Sequence, residues 1–147
     1  MQMQTVKPNV LQQLRRAVAW LAMALAFLLP FNPSGIRLTI SEPVTTETTA
    51  FHFTIHNRSH RTLSYGLDDF YIEEQTDSGW KQVEKADHAV IEILVMQGTE
   101  DRDFLVDLQT VYGGPLAPGT YRLTFCCNAG NMRSGKPATA SVQFTVE

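Results

Sequence analysis

Two cysteines are all that the 147 residues contain, and they are adjacent, Cys126 and Cys127. Neighbouring Cα atoms sit about 3.8 Å apart, below the usual minimum of about 4.4 Å for a disulfide, so the two do not bridge each other. They also form no Cys-x-x-Cys pair, which removes thiol redox work and a cysteine zinc site. No Gly-x-Ser-x-Gly elbow occurs, so no serine nucleophile can be named. No Asp or Glu precedes residue 36, and no basic stripe with interleaved aromatics follows it. From Ile36 onward nine basic residues face fifteen acidic ones, a net charge of −6. A body of that sign is a poor grip for nucleic-acid phosphates.

Titratable clusters are equally thin. His52 and His56 share a strand face, but four residues of strand hold them about 13 Å apart, too far for one ion. His60 and His88 could join either only through tertiary folding. Asp68-Asp69, Glu73-Glu74 and Asp101-Arg102-Asp103 lack the spaced acids and glycine of a calcium loop, and alternation sends neighbours to opposite faces. The residues therefore read as non-enzymatic, with no metal and no cofactor.

What is present begins with an uncharged run, Ala17 to Leu29, behind Lys7, Arg15 and Arg16. Thirteen helical residues reach about 20 Å, short of the roughly 30 Å hydrocarbon core. A signal peptide is favoured over a stable span. Ala24-Leu25-Ala26 offers a small-x-small pattern inside the run, so cleavage and retention as an N-terminal anchor both stay open. No cysteine ends the run, which excludes a lipoprotein-type anchor. Residues 1–35 are expected to form a hydrophobic targeting helix plus a short linker, and residues 36–147 a single extracytoplasmic domain. The membrane is expected to be met only through the N-terminal segment.

The rest alternates. Ile36–Ile40, the Phe51-Phe53-Ile55 series and Leu63–Tyr65 read as strands, and FYIEEQTDSGWKQV as a hairpin turning at Asp77-Ser78-Gly79. Ala89–Met96 is the most apolar stretch after the leader and reads as a strand. Phe104-Val106-Leu108, Tyr121–Cys127 and Val142-Phe144-Val146 follow the same period, with Asn128–Thr139 as a loop. No helical period interrupts the series. About seven to eight short antiparallel strands separated by turn signals predict an all-β sandwich. The expected core holds Phe51, Phe53, Ile55, Trp80, Phe104, Val106, Tyr121, Leu123, Phe125 and Phe144. In LAPGTYRLTF, Leu116, Pro118, Gly119 and Tyr121 fit a tyrosine corner, whose hydroxyl bonds back to the preceding corner.

The ordered pieces FTIHNRS, LSYGLDDFYIEEQTDSGWKQV, HAVIEILV and DFLVDLQTVYGGPLAPGTYRL resemble the bacterial immunoglobulin-like domain of secreted and surface proteins, chiefly of Gram-positive bacteria. The likeness spans about residues 38 to 125; the paired cysteines and the loop after them depart from it. It implies an immunoglobulin-like fold, an extracytoplasmic place and no catalytic residues. A looser resemblance is to the bacterial intracellular-type proteinase inhibitor domain. Two function classes follow: a surface interaction or spacer module with an unknown protein or cell-surface partner, and a proteinase inhibitor using residues 128–137. In either case Asn131, Met132 and Arg133 are the expected contact residues, with Met132 or Arg133 offering the primary-site side chain of an inhibitor.

Overall fold

A computed structural model describes residues 34–86, 92–130 and 134–147. The expected targeting helix lies outside the described residues, as does its linker save for Ser34 and Gly35. Among those described, no helix is long and apolar enough to cross a membrane.

Among the described residues, nine strands make two antiparallel sheets. The first is built on β2 (Ala50–Asn57), flanked by β1 (Ile36–Ile40) and β7 (Asp101–Asp107). Its registers set Leu38 opposite Ile55 and Phe53 opposite Phe104. Strict alternation in β2 puts Phe51, Phe53 and Ile55 on the dry face and leaves His52 exposed.

The second sheet is organised by β8 (Gly119–Ala129). One edge of β8 pairs along its whole length with β9 (Lys136–Val146). The other edge is shared by β4 (Phe70–Thr76) and β3 (Leu63–Gly66), which form one line broken at residues 67–69. Asp69 holds the break: its carboxylate accepts from the Gly66 N–H at 2.6 Å, and its carbonyl accepts from the Cys126 N–H at 2.7 Å. Outside this line lie β5 (Gly79–Gln82) on β4 and β6 (Ile93–Met96) on β3. At Ile72 of β4, beyond the end of β5, the edge is closed by other groups. The Ile72 N–H donates to the Tyr112 hydroxyl at 3.1 Å, and its carbonyl accepts from the Val83 N–H at 2.9 Å. An edge capped in this way offers no template to another chain.

The two inner faces meet in one core. Phe51 packs on Phe144 with ring centroids 5.5 Å apart, Phe53 on Phe70 at 5.8 Å, and Tyr65 edge-on to Phe125 at 5.0 Å. Full burial of each large apolar side chain stabilises the fold by about 1.5–3 kcal/mol, and paired rings add to that.

Several expectations need correction. Trp80 is not in the core. It stands opposite Gln75, on the outer face of β4–β5, with the Arg122 guanidinium 4.5 Å above its ring. Arg122 is held there by an ion pair with Glu73: its Nε donates to Oε2 at 2.7 Å, and its Nη2 lies 2.6 Å from the same oxygen. A short helix, α1 (Leu108–Tyr112), does interrupt the strands. Asp107 caps its start by accepting from Thr110 N–H and Oγ1, and Gly113, at φ 82°, ends it.

The apolar stretch gives a described strand only over Ile93–Met96, on an edge. Ile93 is exposed and Met96 buried; residues 89–91 lie outside the described ones. The loop after Cys127 is shorter than its composition suggests, because Asn128 pairs with Pro137 and Ala129 with Lys136. Cys127 is buried and Cys126 half-buried, on opposite faces of β8. Asn57 is the buried last residue of β2, and its side chain opens the turn that follows by accepting from the Ser59 N–H at 3.1 Å.

Candidate functional site

At one end of the sandwich three chain segments meet: Ser34-Gly35 before β1, the β2–β3 connection, and the turn between β6 and β7. Asn57 ties the last two together. Its amide donates to the carbonyls of Arg61 and Gln97 at 2.8 and 2.9 Å, and its oxygen accepts from the Ser59 N–H and hydroxyl at 3.1 and 2.6 Å. A fully buried carboxamide with this many partners fixes both loops at once.

The backbones also touch. A Cβ on Gly35 (φ 69°) would lie 2.8 Å from the Ser59 Cα, and one on Gly98 would lie 2.8 Å from the His60 carbonyl carbon. His60 at φ 57° and Thr99 at φ 74° take the left-handed backbone needed to turn here. Three main-chain bonds complete the lock: Arg58 N–H to Gly35 O at 2.7 Å, Asn57 N–H to Glu100 O at 2.9 Å, and Gly130 N–H to Thr62 O at 2.8 Å.

Beside this knot opens a cleft of about 660 Å³. The β2–β3 side contributes Arg58, Ser59 and Arg61; the β8–β9 side contributes Ala129 and residues 136–139; Ser34 and Gly35 complete it. None of these lining residues is acidic, and none is aromatic. Arg58 is spent locally: Nη1 lies 2.7 Å from Asp101 Oδ1 and 3.0 Å from the Asn57 carbonyl. The hydrogen bond from Arg58 holds the Asp101 carboxyl below its ordinary range, helped by His56 at 3.1 Å. Among the described residues, neither Arg61 nor Lys136 forms an ion pair. The arrangement can hold an anion.

Part of the expected contact loop thus reaches the cleft through Ala129, Lys136 and Pro137. Asn131, Met132 and Arg133 lie outside the described residues. Leu116 and Tyr121 are buried and Pro118 is exposed; Tyr121 lies about 26 Å along β8 from Ala129. The Tyr121 hydroxyl donates to the Ala117 carbonyl at 2.9 Å, and a Cβ on Gly119 would press on the Tyr121 ring at 3.3 Å. His52 sits against Glu42 at 3.2 Å and His56 against Thr39 Oγ1 at 2.8 Å, each on its own partner. Sequence reasoning missed Arg58 and Arg61, and reached Lys136 only as a member of the 128–137 loop. The available signal was two arginines within the four-residue segment Arg58–Arg61 (RSHR), where the body carries few basic residues.

Two antiparallel sheets, with β8 paired to both β9 and the β3–β4 line, carry this end, and the family model of the bacterial Ig-like domain matches residues 32–128. The chain belongs to that family. No curated protein matches it. The Ig-like match takes in β1 to β7, α1 and all but the last residue of β8, and stops before β9. The Asn57 knot therefore falls inside the Ig-like match, whereas the Lys136–Thr139 wall of the cleft falls outside it.

Proposed function

We propose that the chain is a non-catalytic, extracytoplasmic interaction or spacer module that meets a protein or cell-surface partner through the end bearing the cleft. The observation that carries this reading is the pair of cations Arg61 and Lys136, which form no ion pair among the described residues and are set on loops tied to a packed sandwich. Loops held on a packed scaffold can vary and bind without disturbing the core beneath them. Family membership supports a surface role. The basic and apolar leader of residues 7–29 supports export, and the membrane is met only through that leader. Nucleic acid does not suit a body of net charge −6.

A reporter enzyme that is active only outside the cytoplasm, fused after Glu147 of the full chain, tests the location. Activity is expected. Activity only from a reporter that works inside the cytoplasm would overturn the reading. Titration of the chain against trypsin-like and subtilisin-like proteases tests the role. Stoichiometric inhibition, lost in Arg133→Ala or Met132→Ala, would replace the interaction module by an inhibitor.

A further inference from the structure

We infer that the cleft between the β2–β3 connection and the start of β9 is a binding site for an oxyanion-bearing ligand, phosphate or carboxylate, gripped by Arg61 and Lys136. Three of the nine basic residues in the body line this cleft, of which only Arg58 is paired, and none of the described lining residues is acidic, although acids outnumber bases in the body. Such a concentration of one sign in a body of the other focuses the local field on an incoming anion. Arg58 does not compete for the ligand, because Asp101 and the Asn57 carbonyl already hold its guanidinium. Its role is to position the loop. Arg61 presents a planar fork of donors that matches phosphate or carboxylate, and Lys136 adds a point charge from a separate element.

Two further features favour a built site over scattered solvated charges. The Arg61 backbone is fixed from both sides: its carbonyl accepts from the Asn57 amide at 2.8 Å, and its N–H donates to the Ser59 hydroxyl at 3.2 Å. Lys136 is fixed by its pairing with Ala129 at the last rung of the β8–β9 ladder. Part of the ordering cost of binding is therefore already met in the free protein. The size of about 660 Å³ suits a ligand of a few sugar or amino-acid units. The absence of an aromatic from the lining argues against a neutral sugar or a base held by stacking.

The inference rests on the interaction reading and names the chemistry of its ligand. Its test uses the full chain in a neutral detergent, titrated with sodium tripolyphosphate in one arm and sodium citrate in the other, at ionic strength held constant with sodium chloride. Backbone amide shifts report occupancy residue by residue. Saturable shifts are expected at Gly35, Ser59, Arg61, Lys136 and Thr139. Arg61→Gln and Lys136→Gln should each weaken binding about three- to tenfold, while Lys81→Gln, on exposed β5, should leave it unchanged. Tighter tripolyphosphate points to a phosphate-bearing ligand, tighter citrate to a carboxylate-bearing one. No saturable shift in either arm, or equal weakening by Lys81→Gln, would overturn the inference. A chain that is exported yet binds neither anion keeps the interaction reading and loses only this site.

Discussion

Asn57 and Ser59 are joined twice: the carboxamide oxygen of one accepts both the N–H and the hydroxyl of the other, at 3.1 and 2.6 Å. The same side chain donates across to Arg61 and Gln97, so removing it orphans groups on two loops. Asn57→Ala should destabilise the chain by about 2–4 kcal/mol in denaturant unfolding, and Ser59→Ala by about 1 kcal/mol. Asn57→Asp should be no better than alanine at neutral pH, because a carboxylate oxygen would face two carbonyl oxygens. Losses under about 1 kcal/mol for all three would mean that the knot is held by backbone packing alone.

Tyr121 makes a separate anchor at the far end of β8. Its ring stacks on Phe144 with centroids 5.7 Å apart, and its hydroxyl reaches the Ala117 carbonyl at 2.9 Å. Tyr121→Phe should cost about 1–3 kcal/mol and Thr120→Val much less. Equal small losses would make the Pro118-Gly119 turn an ordinary strand entry.

The parts of this fold legible in the sequence are those where one face dries completely over several residues. Phe51, Phe53 and Ile55 in β2, and Tyr121, Leu123 and Phe125 in β8, alternate long enough to fix both element and face. The sequence places Trp80 in the core and the structure does not, because β5 has only four residues, GWKQ, and its face is set by pairing with β4. Helix α1 was hidden because Leu108 continues the period of Phe104 and Val106 and is itself buried; five residues carry no helical period of their own. The β8–β9 ladder overrode local signals from Asn128 and Pro137, since pairing along the rest of two strands outweighs turn propensity at their ends. The cleft was legible only on one side, through the expected 128–137 loop: Arg61 and Lys136 come to one cleft only through sheet packing.

Acid should weaken the fold through three carboxylates. Asp101 is held below its ordinary 3.8 by the Arg58 hydrogen bond, Asp107 below the same value by the Thr110 N–H, and Glu42 below its 4.5 by the His52 N–H. Each binds its proton more weakly folded than unfolded, so its stabilisation is complete above those ordinary values and lost as pH falls through the lower, folded ones. The denaturation midpoint should drop across that acid limb, and Asp101→Asn should flatten part of the drop. A midpoint that rises on acidification through this window would contradict the ion-pair assignment.

The adjacent thiols should behave unequally. Burial pushes Cys127 up to about 11, and burial also raises Cys126, which is only half-buried. At pH 8 a native chain treated with iodoacetamide should be alkylated slowly at Cys126 and negligibly at Cys127, and at both once unfolded. Peptide mass spectrometry reads the two sites. Rapid native modification of Cys127 would place it outside the core.

The central claim is that the end bearing the cleft is fixed before any partner arrives. Amide hydrogen exchange measures this residue by residue on the full chain. The N–H groups of Arg58, Ser59 and Gly130 are bonded to Gly35 O, Asn57 Oδ1 and Thr62 O, at 2.7, 3.1 and 2.8 Å. They should exchange as slowly as the amides of β2, and exchange at Arg58 and Ser59 should accelerate sharply in Asn57→Ala. Exchange of Arg58 and Ser59 at the rate of an open loop, in the wild-type chain, would contradict the account.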